Sequence, residues 1–172
     1  MLVAASAVIV RARLPAGLER LRRHGNGSGE GAGGVPAHVT LLHPFVGDLD
    51  PSIRRAVATV ATRHASFDYT MTGPARWPDT IYVAVEPIEP FVRLQADLAA
   101  AFPDYPIYGE GWDFEFTPHI TVAEGHAVEH EDIMRSEAWA ALPMPARAAW
   151  VEVIASDGAI WDLVWRVPLG GG

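Results

Sequence analysis

Two short runs constrain this chain more than any other feature: VPAHVTLLHPF at residues 35–45 and FTPHITVA at residues 116–123. Each sets a histidine and a threonine two apart inside an apolar, β-branched stretch. In a β-strand, residues i and i+2 share a face, about 6.5 Å apart along the chain. His38 and Thr40 therefore point one way and Val39 the other, and His119, Thr121 and Ile120 repeat the arrangement. A strand built like this turns its apolar face to a core and its polar face to a boundary. Having two of them about eighty residues apart points to a duplicated unit.

The rest of the chain supports duplication. Residues 6–14 read as a strand and 15–24 as a helix with Pro15 at its start. Residues 37–43 form the first motif strand. A helix follows over 50–64, with Asp50 as N-cap, Pro51 at N1 and apolar residues at helical spacing. Strands are expected over 67–73 and 80–87, with PARWPD as the turn between them, and a helix over 89–102. Residues 114–123 carry the second motif strand. A helix over 129–142 then precedes two strands, 146–156 and 159–169, joined by the Asp157–Gly158 turn. Residues 38–86 and 119–168 thus share one order: motif strand, helix, strand, turn, strand. The expected fold is α+β, a single two-lobed domain over residues 1–172. Its repeat halves span approximately 36–87 and 115–169, related by a pseudo-two-fold, with two antiparallel sheets around a central cleft and helices outside.

Composition narrows the function. With 172 residues the chain buries a core without staples, and with no cysteine it has no disulfide framework, no thiolate zinc site and no thiol nucleophile. A net charge of −8 argues against coating extended nucleic acid, though a few local cationic side chains suffice for one phosphate. The N-terminal apolar stretch has no basic residues before it and is too short to span a membrane. We read it as the first strand of a cytoplasmic, non-membrane protein, and expect a monomer.

If the two polar faces meet across one cleft, they supply two imidazoles and two hydroxyls in mirror arrangement. Histidine titrates near neutral pH, so one ring can serve as general base and the other as general acid. Threonine hydroxyls can hydrogen-bond the non-bridging oxygens of a phosphate held between the rings. In-line attack at phosphorus needs acid and base on opposite sides, which a pseudo-two-fold provides. The candidate site is His38 and His119 for catalysis and Thr40 and Thr121 for the phosphate, with no metal and no cofactor.

The motifs HVTL and HITV resemble the paired H-x-T/S-x motifs of the 2H phosphoesterase superfamily. Within it, they are most similar to the bacterial 2'-5' RNA ligase-like or RNA 2',3'-cyclic phosphodiesterase proteins. VPAHVTLLHPF, EPFVRLQADLAAAFPDYPIYG and FTPHITVA all read like stretches of that family, so the resemblance covers nearly the whole chain. It implies a bilobal fold with both motifs lining a cleft, and metal-independent cleavage of a cyclic phosphate on a small nucleotide or RNA terminus. It further implies that His38 donates a proton to the leaving ribose oxygen, that His119 activates water, and that Thr40 and Thr121 hold the phosphate. A non-catalytic nucleotide or RNA-end binding module, and a 2'-5' RNA ligase using the same cleft, are the competing expectations. The acidic chain shows no basic stripe for a tRNA-sized partner.

Other features bear less weight. His43 has the opposite parity from His38, so a regular strand turns it away from the cleft and gives it a structural role. HAVEH (126–130) has a metal-pair spacing but no H-E-x-x-H glutamate, and is read as non-metal. Residues 25–34 form a glycine-rich stretch lacking G-K-[ST], hence a surface loop and not a phosphate loop. Trp77, Tyr82 and Trp112 are candidate base-stacking residues, and Arg76 and Arg147 candidate phosphate contacts.

Overall fold

The computed structural model describes residues 1–25, 34–109, 114–125 and 130–171. In chain order its elements are β1 (Ala5–Arg11), α1 (Ala16–Gly25), β2 (His38–Leu42), α2 (Pro51–Ala61), β3 (Phe67–Trp77) and β4 (Thr80–Glu86). Then come α3 (Glu89–Ala101), β5 (His119–Glu124), α4 (His130–Met134), a 3-10 helix (Glu137–Ala141), β6 (Met144–Ala148), β7 (Trp150–Ser156) and β8 (Trp161–Pro168). Two four-stranded antiparallel sheets result, ordered β2-β1-β7-β8 and β5-β4-β3-β6. The fold is α+β, as expected.

Local chemistry explains the elements that the sequence announces. Asp50 caps α2 by accepting from the backbone N–H of Ser52 (2.6 Å) and Ile53 (3.2 Å), and Pro51 supplies a preset φ where no N–H is needed. In α3, Phe91, Leu94 and Leu98 recur at helical spacing and are completely buried. The alternate residues of the motif strands, Val39 and Leu41 in β2 and Ile120 and Val122 in β5, are equally buried and belong to one continuous core.

The duplication is visible in register. β1-α1-β2 and β4-α3-β5 are the same strand–helix–strand unit, and their pairings superpose residue by residue. Arg11, Val10, Ile9 and Val8 face His38, Val39, Thr40 and Leu42, while Ala84, Val83, Tyr82 and Ile81 face His119, Ile120, Thr121 and Ala123. Both ladders shift by one residue at the same step, leaving Leu41 and Val122 as the extra residues of matching β-bulges. The units also interlock. α1 packs against β5, α3 packs against β2, and β2 contacts β5, so each motif strand is backed by the other unit's helix.

Four expectations require correction. Residues 146–156 are not one strand: β6 pairs with β3 in one sheet and β7 with β1 in the other, and the chain changes sheets at Ala149. A single residue separates the two strands, so alternation alone cannot show the crossing. PARWPD is mostly strand, because β3 runs on to Trp77 and leaves only residues 78–79 as the turn. Pro74 is tolerated there because β6 pairs with β3 only from Phe67 to Met71, so beyond Met71 one edge of β3 makes no ladder bonds. The second motif strand begins at His119, not at 114. The helix over 129–142 is two pieces, α4 and the 3-10 helix, the second capped by Ser136, whose hydroxyl accepts from the Ala138 N–H.

Candidate active site

His38 opens β2 and His119 opens β5, and the polar faces of both strands line a single pocket. His38, Thr40 and His43 come from one unit, and His119, Thr121 and Glu124 from the other. Tyr108 from the α3–β5 connection and Trp161 from β8 complete its rim. The enclosed volume is about 70 Å³, far below the several hundred Å³ of a pocket that swallows a whole ligand. A volume of that size admits a small group such as one phosphate.

The two histidines are held alike. His38 Nδ1 lies 2.7 Å from the Pro36 carbonyl and His119 Nδ1 lies 2.8 Å from the Thr117 carbonyl, two residues back in each case. A carbonyl only accepts, so each Nδ1 carries the proton that it donates, which assigns the tautomer. In the neutral ring Nε2 is then the lone-pair nitrogen. His38 Nε2 accepts from the Thr40 hydroxyl at 3.0 Å.

Their surroundings differ. His38 is half-buried by area but sits at the packed floor of the cleft, and its pKa is lowered from 6.5 to about 4. Desolvation is the largest cause, opposed by the hydrogen bond to Pro36, and the charges of Arg22, His119 and His43 lower it further. Arg22 is itself buried and donates to the Val35 carbonyl at 2.6 Å, which ties α1 to the approach of the motif strand. His119 lies instead against an aromatic shelf, edge-on to Trp77 (centroids 4.6 Å) and Tyr82 (5.4 Å). Trp77 and Tyr82 stack on each other at 4.4 Å, and Trp77 is 37% exposed.

Two weaker expectations change. His43 does line the pocket, with its ring 6.0 Å from that of Trp161. The bulge at Leu41 absorbs one residue and reverses the parity that a regular strand would give it. Arg76 and Arg147 are not among the pocket residues; they pair at the surface, Arg76 with Glu131 (2.6 Å) and Arg147 with Asp68 (2.8 Å). Trp112, residues 26–33 of the glycine-rich stretch and residues 126–129 of HAVEH lie outside the described residues, while His130 is buried at the start of α4. Among the described residues no group of three potential metal ligands occurs.

Glu124, Tyr108 and Trp161 also line the pocket and are not among the residues that the sequence pattern points to. Glu124 had a usable signal, since it stands five residues after His119 as His43 stands five after His38, and the twin bulges carry both into the pocket.

A duplicated β-α-β unit presenting two H-x-T strands to one cleft defines a two-lobed protein of the 2H phosphoesterase type. The sequence model of the 2'-5' RNA ligase superfamily matches residues 10–158, and the chain belongs to that superfamily. No curated protein matches it in sequence. Among solved structures it resembles the protein TT0787 of Thermus thermophilus, with 20% identity, a TM-score of 0.56, and 97% of this chain and 98% of that one covered. Escherichia coli LigT complexed with 3'-AMP is similar at 19% identity and a TM-score of 0.58, over 96% of this chain and 97% of that one. A structure described as a phosphoesterase gives 16% identity and a TM-score of 0.58, over 98% and 99%. At these identities the likeness is one of fold.

Proposed function

We propose that this protein is a metal-independent phosphoesterase that hydrolyses the 2',3'-cyclic phosphate of a nucleotide or RNA end, with His38 and His119 as general acid and base. One observation carries the reading. Two imidazoles line one pocket, each with its Nδ1 proton given to a carbonyl two residues back, and each shares its strand face with a threonine. With Nδ1 so engaged, Nε2 is the atom of each ring that exchanges a proton in the reaction, and the two hydroxyls serve the phosphate oxygens. The nucleotide complexes of Escherichia coli LigT, with 3'-AMP, ATP and NADP+, support a nucleotide as ligand.

In the reaction, Nε2 of one neutral histidine takes a proton from water as its oxygen bonds to phosphorus. The phosphorus–oxygen bond to the ribose breaks, and the other histidine's Nε2 proton passes to the departing ribose oxygen. Water is consumed and a monoester with a free neighbouring hydroxyl results. The family resemblance makes His38 the acid and His119 the base. Arrival of the anionic phosphate serves that assignment, because a nearby negative charge raises the His38 pKa. The low pKa of His38 favours a second assignment, in which neutral His38 is the base and His119 the acid.

A panel of 2',3'-cyclic nucleotides and cyclic-phosphate-ended oligoribonucleotides, followed by phosphorus NMR with and without EDTA, tests the activity. Monoester should form at the same rate in both conditions. Tight binding without product replaces the enzyme with a binding module, and joining of a cyclic end to a 5'-hydroxyl end replaces hydrolysis with ligation. Loss of turnover in EDTA overturns the metal-independent mechanism.

A further inference from the structure

The cleft face of the first sheet continues past the histidines into a charged cluster that this mechanism does not use. Directly opposed residues of an antiparallel pair share a face, so Arg11 stands beside His38, Ile9 beside Thr40 and Glu152, and Glu152 beside Arg166. The Glu152 side chain is 3% exposed and lies between two guanidiniums, at 2.7 Å from Arg11 Nε and at 3.0 and 2.8 Å from Arg166 Nε and Nη2. The arginine side chains are 37% and 45% exposed. Arg166 also rests over the ring of Trp150, 5.6 Å from its centroid. The buried carboxylate neutralises one of the two cations and fixes the aim of both, leaving one net positive charge on the open face.

The position of this charge is informative. The pocket around the histidines contains no lysine or arginine among its described residues, and it does contain Glu124. The other unit offers no counterpart, since Ala84 occupies beside His119 the place that Arg11 occupies beside His38. Counting strands from β2, Arg11 is one strand spacing from His38 and Arg166 three from Thr40, so the cluster spans about 5 to 14 Å from the motif strand. That is within reach of a second phosphate on the same substrate, one sugar or one nucleotide away.

We propose that Arg11 and Arg166, held by Glu152, form a subsite for a second phosphate group of the substrate, so that the enzyme prefers cyclic-phosphate substrates bearing a further phosphate on the His38 side of the cleft. The proposal rests on the phosphoesterase reading above. The second phosphate has two sources, a 5'-phosphate on the reacting nucleotide or the phosphodiester to a preceding nucleotide. Guanidinium–phosphate contacts are charge-assisted and geometrically selective, and one such contact is worth roughly a tenfold preference.

The test compares three substrates: a 2',3'-cyclic mononucleotide, the same compound with a 5'-phosphate, and a dinucleotide ending in the cyclic phosphate. Each is assayed with wild type, Arg166→Gln and Arg166→Lys. At least one substrate with a second phosphate should exceed the mononucleotide about tenfold in kcat/KM, and which one does so identifies the source. Arg166→Gln should abolish the advantage and reduce its salt dependence, with partial recovery in Arg166→Lys. Equal kcat/KM for all three in wild type, or an advantage that survives Arg166→Gln, overturns the subsite. Binding of the corresponding 3'-monophosphates, measured by calorimetry, separates the two readings. If nothing is hydrolysed but the affinities keep the same ranking and the same loss in Arg166→Gln, the phosphoesterase reading fails and the subsite stands.

Discussion

The two motif strands are alike in backbone and unlike in surroundings. β2 and β5 share one register against β1 and β4, the same bulge and the same histidine-to-carbonyl bond. Around that common frame the neighbours diverge: Arg11 against Ala84, Ile9 against Tyr82, and His43 against Glu124. Backbone pairing sets where each histidine points, while the adjacent side chains set its protonation and what can lie beside it. Duplication thus supplies two equivalent imidazoles, and their neighbours make them inequivalent: one desolvated beside cations, the other on an aromatic shelf.

The largest effect should come from removing either equivalent part. His38→Ala and His119→Ala should each lower kcat by roughly 10²–10⁴, the usual contribution of a positioned acid or base, while circular dichroism shows an unchanged fold. Full activity in either variant would break the functional pairing of the two strands.

An aryl phosphodiester sharpens the comparison by asking which histidine is the acid. Its leaving group needs no proton, so the variant lacking the acid should recover most of its deficit on this substrate, and the variant lacking the base should not. Recovery in His38→Ala supports the assignment that the resemblance implies. Recovery in His119→Ala supports the assignment that the low His38 pKa favours.

Trp77→Ala removes the exposed half of the aromatic shelf beside His119. Base stacking on an aromatic ring is worth about 1–3 kcal/mol, so KM for a cyclic nucleotide should rise roughly five- to a hundredfold with a smaller change in kcat. An unchanged KM means that the base lies elsewhere. Glu124→Gln removes the carboxylate that stands opposite His43 in the duplication. The dianionic monoester should then inhibit several-fold more strongly, read as a lower Ki at about pH 7.5.

A separate expected effect is on stability. Folded His38 titrates near 4 and the unfolded residue near 6.5, so between these values the unfolded chain binds more protons. Stability from this group is therefore full above about pH 6.5 and is lost progressively as pH falls to 4. Melting curves across that window should show a shallower decline in Tm for His38→Gln than for wild type. An identical decline would mean that His38 is not desolvated in the folded protein.

Much of this was legible in the chain because it is written locally. Asp50 followed by Pro51 announces a helix start, and Phe91, Leu94 and Leu98 announce the buried face of the next helix, since capping and periodicity involve residues a few positions apart. The H-x-T spacing placed His38 with Thr40 and His119 with Thr121 for the same reason. The direction of His43 is not readable from its own strand, because a bulge is a property of a strand pair. Whether Leu41 has a partner depends on β1, about thirty residues upstream. Residues 146–156 read as one strand because a change of sheet at Ala149 alters the partners of the segment and not its composition.

By itself, then, the sequence determined the α+β class and the two histidine–threonine pairs, both carried by short-range pattern. Tertiary structure alone decided that the pairs share one pocket, that His43 and Glu124 enter it, and that Arg11 and Arg166 meet at Glu152 on the sheet face beyond it. Those outcomes depend on cross-strand register and on which strands become neighbours. They are settled by burying Val39, Leu41, Ile120 and Val122 in a common core, between residues that no local pattern connects.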